Sequence, residues 1–128
     1  HPELGKALTG AWFETLKVMQ GESETAKTAR TQMGQAAGTD LAGFDAQLAA
    51  THLFSDPKLA LDFTDSPQLK ATMQMVAEFS FKHGLLGDAA PSADVVGVAT
   101  PPGNWGDTNN TKLRFTDEFL RLVVSNTL

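Results

Sequence analysis

Ser66-Pro67-Gln68-Leu69-Lys70-Ala71-Thr72-Met73-Gln74-Met75-Val76-Ala77-Glu78-Phe79-Ser80-Phe81-Lys82-His83-Gly84 is the longest unbroken pattern in the chain. Leu69, Met73, Val76, Ala77 and Ser80 recur at three- and four-residue spacing, which places them on one face of an α-helix. Pro67 suits the first turn, where its missing N–H would be unpaired in any case. Ser66 offers a capping hydroxyl, Gly84 a stop, and His83 sits favourably near the negative helix end. Met75, Phe79 and Phe81 extend the apolar surface beyond one stripe, which predicts a helix covered on two sides.

The same opening grammar recurs at His1-Pro2-Glu3-Leu4 and Asp56-Pro57-Lys58-Leu59. It predicts a first helix over 2–20, with Leu4, Ala7, Leu8, Ala11, Trp12, Thr15, Leu16 and Met19 inward and Gly21 as a left-handed cap. A second helix over 23–37 starts at Ser23 and presents the small face Ala26, Ala29, Met33 and Ala36. Gly38 ends it. Thr39 or Asp40 caps a third, to about residue 50, with Leu41, Phe44 and Leu48 inward. A short helix over 57–63 precedes the long one. From Leu85 to Arg114 glycine and proline dominate, and Val95-Val96-Gly97-Val98 allows at most a short strand. Thr116 opens a last helix over 117–125, with Phe119, Leu120 and Val123 inward and Asn126 as its left-handed cap. The expected fold class is all-α: about six helices, a long Gly/Pro loop and at most a very short strand.

At 128 residues the chain is expected to form a single helical segment, too short for two domains. Ten Lys and Arg against fifteen Asp and Glu give a net charge of −5, which argues against nucleic acid as a partner. With no cysteine, the chain has no disulfide, thiolate metal site or cysteine nucleophile. His1 follows no initiator Met and no basic-then-apolar leader, so the expectation is a piece of a longer protein.

Candidate chemistry is sparse. His52, Asp56 and Asp62 have metal-ligand chemistry, but zinc and iron sites need three or four convergent donors and only one histidine is local. A surface histidine with two helix-capping acids is the favoured reading. His83 with Asp88 or Arg114 has acid–base potential, yet no nucleophile stands beside it, and Ser80 lies in no Gly-x-Ser-x-Gly turn. Pro101-Pro102-Gly103-Asn104-Trp105-Gly106-Asp107 sets an aromatic among glycines, as in a ligand lid, but a Trp pinning its loop to the core is the stronger reading. Phosphate-binding glycine motifs are absent. Lys17, Lys27 and Arg30 read as solvated face charges. No catalytic residue, metal site or cofactor is assigned.

His1-Pro2-Glu3-Leu4-Gly5-Lys6-Ala7-Leu8-Thr9-Gly10-Ala11-Trp12-Phe13-Glu14-Thr15 resembles a late helix of periplasmic substrate-binding proteins that serve ABC importers of the nitrate/sulfonate/taurine class. Ala37-Gly38-Thr39-Asp40-Leu41-Ala42-Gly43-Phe44, Phe79-Ser80-Phe81, His83-Gly84-Leu85-Leu86-Gly87, Ala90-Pro91-Ser92-Ala93-Asp94, Gly106-Asp107 and Lys112-Leu113-Arg114-Phe115 continue the resemblance in order. The pattern is most similar to the subgroup encoded beside urea carboxylase, with urea- or guanidine-like ligands. Two departures stand out: Trp105 where the subgroup has a plain Asp-Gly turn, and Asn126-Thr127-Leu128 where it ends in Gly-Lys-Leu.

The resemblance implies the helical C-terminal part of a two-lobed α/β receptor, periplasmic, not an enzyme and without a cofactor. Its partners would be a small-molecule solute and a membrane permease. No ligand-contacting position of the family maps onto this segment. The alternative is a free-standing helical interaction module using the Trp105 loop or an exposed apolar face. Surplus apolar residues at Trp12, Phe13, Met75, Phe79 and Phe81 imply a homo-oligomer when the segment stands alone. The far-ultraviolet circular dichroism of the chain should carry the double minimum of α-helix; a β-dominated spectrum would refute this reading of the sequence.

Overall fold

Each proline-led start opens a helix in the computed structural model, which describes residues 1–127. In chain order the helices are α1 (Pro2–Met19), α2 (Glu24–Ala36), α3 (Leu41–Ala49), α4 (Pro57–Thr64), α5 (Pro67–Lys82) and α6 (Glu118–Val124). Two 3₁₀ turns, Ala93–Val95 and Thr108–Asn110, and two strands, β1 (Val98–Ala99) and β2 (Leu113–Arg114), punctuate the long loop. Among the described residues the fold is all-α with one minimal sheet.

Helix boundaries follow capping chemistry. Ser23 Oγ accepts from Ala26 N at 3.2 Å, Asp40 Oδ1 from Gly43 N at 2.8 Å, and Asp56 Oδ1 from Lys58 N at 2.8 Å. Ser66 caps nothing with its side chain; its hydroxyl donates back to Phe63 O. At the end of α5, Leu85 N reaches Ser80 O and Gly84 N reaches Phe81 O, with Gly84 at φ +70°. Asn126, at φ +56°, closes α6 in the same way: Thr127 N donates to Leu122 O and Asn126 N to Val123 O. Gly21, at φ +79°, is left-handed as expected and follows the C-cap Gln20, which is itself extended.

The chain divides into two compact units: residues 1–59 with the chain from Leu122, and Ala60–Arg121. In the first, α2 packs on both α1 and α3. Its buried stripe is Ala26, Arg30 and Gly34, at four-residue intervals. A Cβ on Gly34 would lie 3.0 Å from Asp40 O, so the missing side chain lets the start of α3 close on α2. Ala29 and Met33, expected inward, are half-buried, while Ala36 is exposed.

The face expected for α1 is corrected. Phe13 and Leu16 are its buried side chains, whereas Leu4, Leu8 and Trp12 are 58, 62 and 53% exposed. Adjacent helix positions differ by about 100°, so a core built on Phe13 turns Trp12 outward. The spacing marks an apolar stripe without saying whether the protein's own core or something else covers it.

In the second unit Leu69 and Ala77 are buried along α5, which packs on the Ala93–Val95 turn. Val76, expected inward, is 46% exposed, and Met75, Phe79 and Phe81 are exposed as well. One side of α5 is covered, not two. The expected strand is also shifted. Val95 belongs to a 3₁₀ turn, and Val98–Ala99 pairs in parallel with Leu113–Arg114. Gly97 explains the shift: a Cβ there would come within 2.0 Å of Asp107 O, so this backbone is pressed against the loop rather than against a strand.

Asp117 Oδ2 accepts from Arg121 Nε at 2.6 Å, and the same guanidinium bridges to Asp65, tying the entry of α6 to the turn between α4 and α5. The Arg121 hydrogen bond holds the Asp117 carboxyl below the ordinary value of 3.8. A depressed carboxylate contributes its stability fully above that ordinary value and loses it as pH falls through the lower folded value. Amides at the start of α6 should therefore lose protection, measured against the unfolded-chain exchange rate at the same pH, below about pH 4. Asp117→Asn should raise their exchange at neutral pH and flatten this pH dependence; hydrogen exchange read by NMR checks both.

Candidate functional site

Arg30 is the side chain that the sequence reading misplaced most. Rather than a solvated charge, it is 7% exposed on the inner stripe of α2. Its Nε donates to Asp45 Oδ1 on α3 at 2.7 Å, and one Nη donates to Met19 O at 2.9 Å and Gly21 O at 2.8 Å. Glu22 adds a longer contact at 3.8 Å. A planar fork of donors can serve a carboxylate and two carbonyls together, which a lysine ammonium on a flexible stem cannot do in fixed geometry. The signal was present: Arg30 lies four residues from both Ala26 and Gly34, the smallest residues of that face.

Lys27, by contrast, lies near Glu22 and Glu24 at 4.0 and 3.9 Å on the surface. Lys17 is exposed on α1.

His52 packs edge-on against Phe54 with ring centroids 4.8 Å apart, and Asp56 is engaged as a cap. No group of three or more metal-ligating side chains gathers among the described residues. His83 closes α5, its ring 4.2 Å from that of Phe79. Arg114 donates to Thr111 O at 2.7 Å. Ser80 lends its carbonyl to the end of α5. Among the described residues these groups are not joined by hydrogen bonds into a relay.

The Trp105 loop is a backbone knot. Trp105 and Val98 exchange two N–H···O bonds at 2.9 Å, Thr100 Oγ1 donates to Gly103 O at 2.6 Å, and Asn110 Nδ2 donates to Val95 O at 2.8 Å. Trp105 itself is half-buried.

Two of the concavities in the first unit differ in character. One, of about 310 Å³, has an apolar lining of Trp12, Leu16, Met19, Met33, Phe44, Leu48 and Leu53, with Thr15 at its edge. The other, of about 510 Å³, mixes Phe13 and Val123 with Glu14, Lys17, Gln20, Ser55 and Asn126. The structure presents an apolar groove and a polar cleft in the first unit, and outward apolar residues on α1 and α5. No protein-family model, curated protein or solved structure matches the chain.

Removing the buried guanidinium orphans two carbonyls and leaves Asp45 without its partner. Arg30→Ala should cost about 2–4 kcal/mol, and Asp45→Asn about 1 kcal/mol because that carboxylate is half exposed. Arg30→Lys should recover less than half of the loss. Denaturant unfolding of the three variants measures these differences.

Proposed function

We propose that the chain is the helical C-terminal part of a periplasmic solute-binding receptor, one that delivers a small urea- or guanidine-like compound to an ABC importer. Two things support this reading. The ordered resemblance runs from His1 to Phe115. The outer face of α5 carries Met75, Val76 and Phe79, all exposed. The second of these carries the proposal, because a helix apolar on both faces is suited to lie beneath another layer of structure.

In this reading the segment is a strut and not a wall of the solute site. A urea-sized solute needs convergent polar groups that surround it on several sides. The 310 Å³ groove offers apolar walls, and the polar groups around the larger cleft are exposed. The solute would be held between the α/β lobes, and this segment would stiffen one of them.

Titrated with urea, guanidinium, nitrate or taurine, the chain alone should give no saturable heat, whereas the longer receptor should bind one of these solute classes at micromolar concentration. Saturable binding by the chain alone would overturn the strut role. Phe79→Ser discriminates further. It should shift the stability of the isolated chain by no more than about 0.5 kcal/mol, as at an exposed site. In the whole receptor it should cost about 2–4 kcal/mol. Equal effects in both would favour a free-standing interaction module.

A further inference from the structure

One motif of the long loop has no part in the receptor reading: Asp107-Thr108-Asn109-Asn110-Thr111. An asparagine followed two residues later by Ser or Thr, with no proline between, is the acceptor pattern of N-linked glycosylation. Among the asparagines of the chain Asn109 alone has it. The residues two beyond Asn104, Asn110 and Asn126 are Gly106, Lys112 and Leu128.

The motif lies on the surface. Asp107, Thr108, Asn109 and Asn110 are exposed, and Thr111 is half-buried. What this segment presses inward is backbone: a Cβ on Gly97 would strike the carbonyl oxygens of both Asp107 and Asn110. Asp107 Oδ1 accepts from Asn109 N at 2.8 Å and so closes the Thr108–Asn110 turn. The two adjacent side-chain amides differ. Asn110 Nδ2 donates to Val95 O at 2.8 Å, so engaging it would break a bond that holds the loop. Among the described residues the Asn109 side-chain amide has no hydrogen-bond partner, and entering another protein's site would cost it no bond within the chain.

We propose that Asn109 is an acceptor for an N-linked glycan, transferred from a polyprenyl-pyrophosphate-linked oligosaccharide. Asn109 Nδ2 attacks the anomeric carbon of the first sugar. The N–C bond forms as the C–O bond to pyrophosphate breaks, polyprenyl pyrophosphate leaves with the electron pair, and the amide gives one proton to a base of the transferase. The Thr111 hydroxyl is the handle by which the acceptor is recognised. Asp107 adds a negative charge two residues before it, which a cation on the transferase can read. In one respect the proposal rests on the receptor reading, since such transfer takes place on the outer side of the membrane, where a periplasmic chain is presented.

Incubating the purified chain with a purified bacterial oligosaccharyltransferase and its lipid-linked oligosaccharide tests this without recourse to compartment or solute binding, so its failure is distinct from failure of the receptor reading. Intact-mass spectrometry should show the gain of one glycan, and peptide mapping should place it on Asn109. Asn109→Gln and Thr111→Val should lose the modification, while Thr111→Ser should keep it. Asp107→Asn keeps an oxygen for the turn but not the charge, and should lower the modified fraction several-fold. A free peptide spanning residues 104–113 is the control for recognition of the sequence itself. Modification of that peptide but not of the folded chain would overturn the proposal, because the loop would then hold the motif out of reach. Modification of neither, or a glycan that survives Asn109→Gln, overturns it equally. An undiminished yield from Asp107→Asn would remove Asp107 from the recognition.

Discussion

The guanidinium of Arg30 sits where the end of α1, the turn that follows it and the body of α3 meet on α2. Each of those groups would otherwise be a cost. Met19 and Gly21 end in carbonyls that no helix satisfies, and Asp45 is a carboxylate drawn against a helix face. One planar cation answers all three, and so fixes the angle at which three helices meet. The apolar contribution around it is modest: Ala26 and Gly34 flank it, and Phe13 and Leu16 are the buried apolar side chains of α1. The arrangement of this unit depends on a charge held in place rather than on bulk.

This explains what the residue pattern could and could not reveal. Helix positions came through well, because Pro67, Ser23, Asp40, Asp56 and Asn126 act within a turn of themselves and owe nothing to tertiary context. The side of each helix that turns inward was harder to read. Periodicity reports that Leu4, Leu8 and Trp12 share a stripe, but the same spacing describes a core face and a docking face. On α1 the neighbouring line through Phe13 and Leu16 became the core. On α5 the inner line kept Leu69 and Ala77 and lost Val76.

Side-chain roles set by local chemistry were legible at particular residues. His52, Asp56 and His83 have the positions that capping and ring packing assign to them. Arg30 was missed because charge count treats every arginine as solvated, whereas position four residues from Ala26 and Gly34 treats it as interior. The short strand expected within Val95–Val98 keeps only Val98 and extends to Ala99, because its partner, Leu113–Arg114, lies across a loop whose closure depends on backbone contacts at Gly97 and Trp105.

That parallel pairing of β1 and β2 bears on the order in which the chain assembles. Antiparallel neighbours can zip from a tight turn, but parallel ones must first bring distant segments together, and here the intervening stretch is a loop and not a helix. The loop's closure entropy falls due before the few ladder bonds can form. The helices consist of local contacts and need no such closure. The knot around Trp105 can therefore set only once Val98–Ala99 and Leu113–Arg114 have been brought together across that loop.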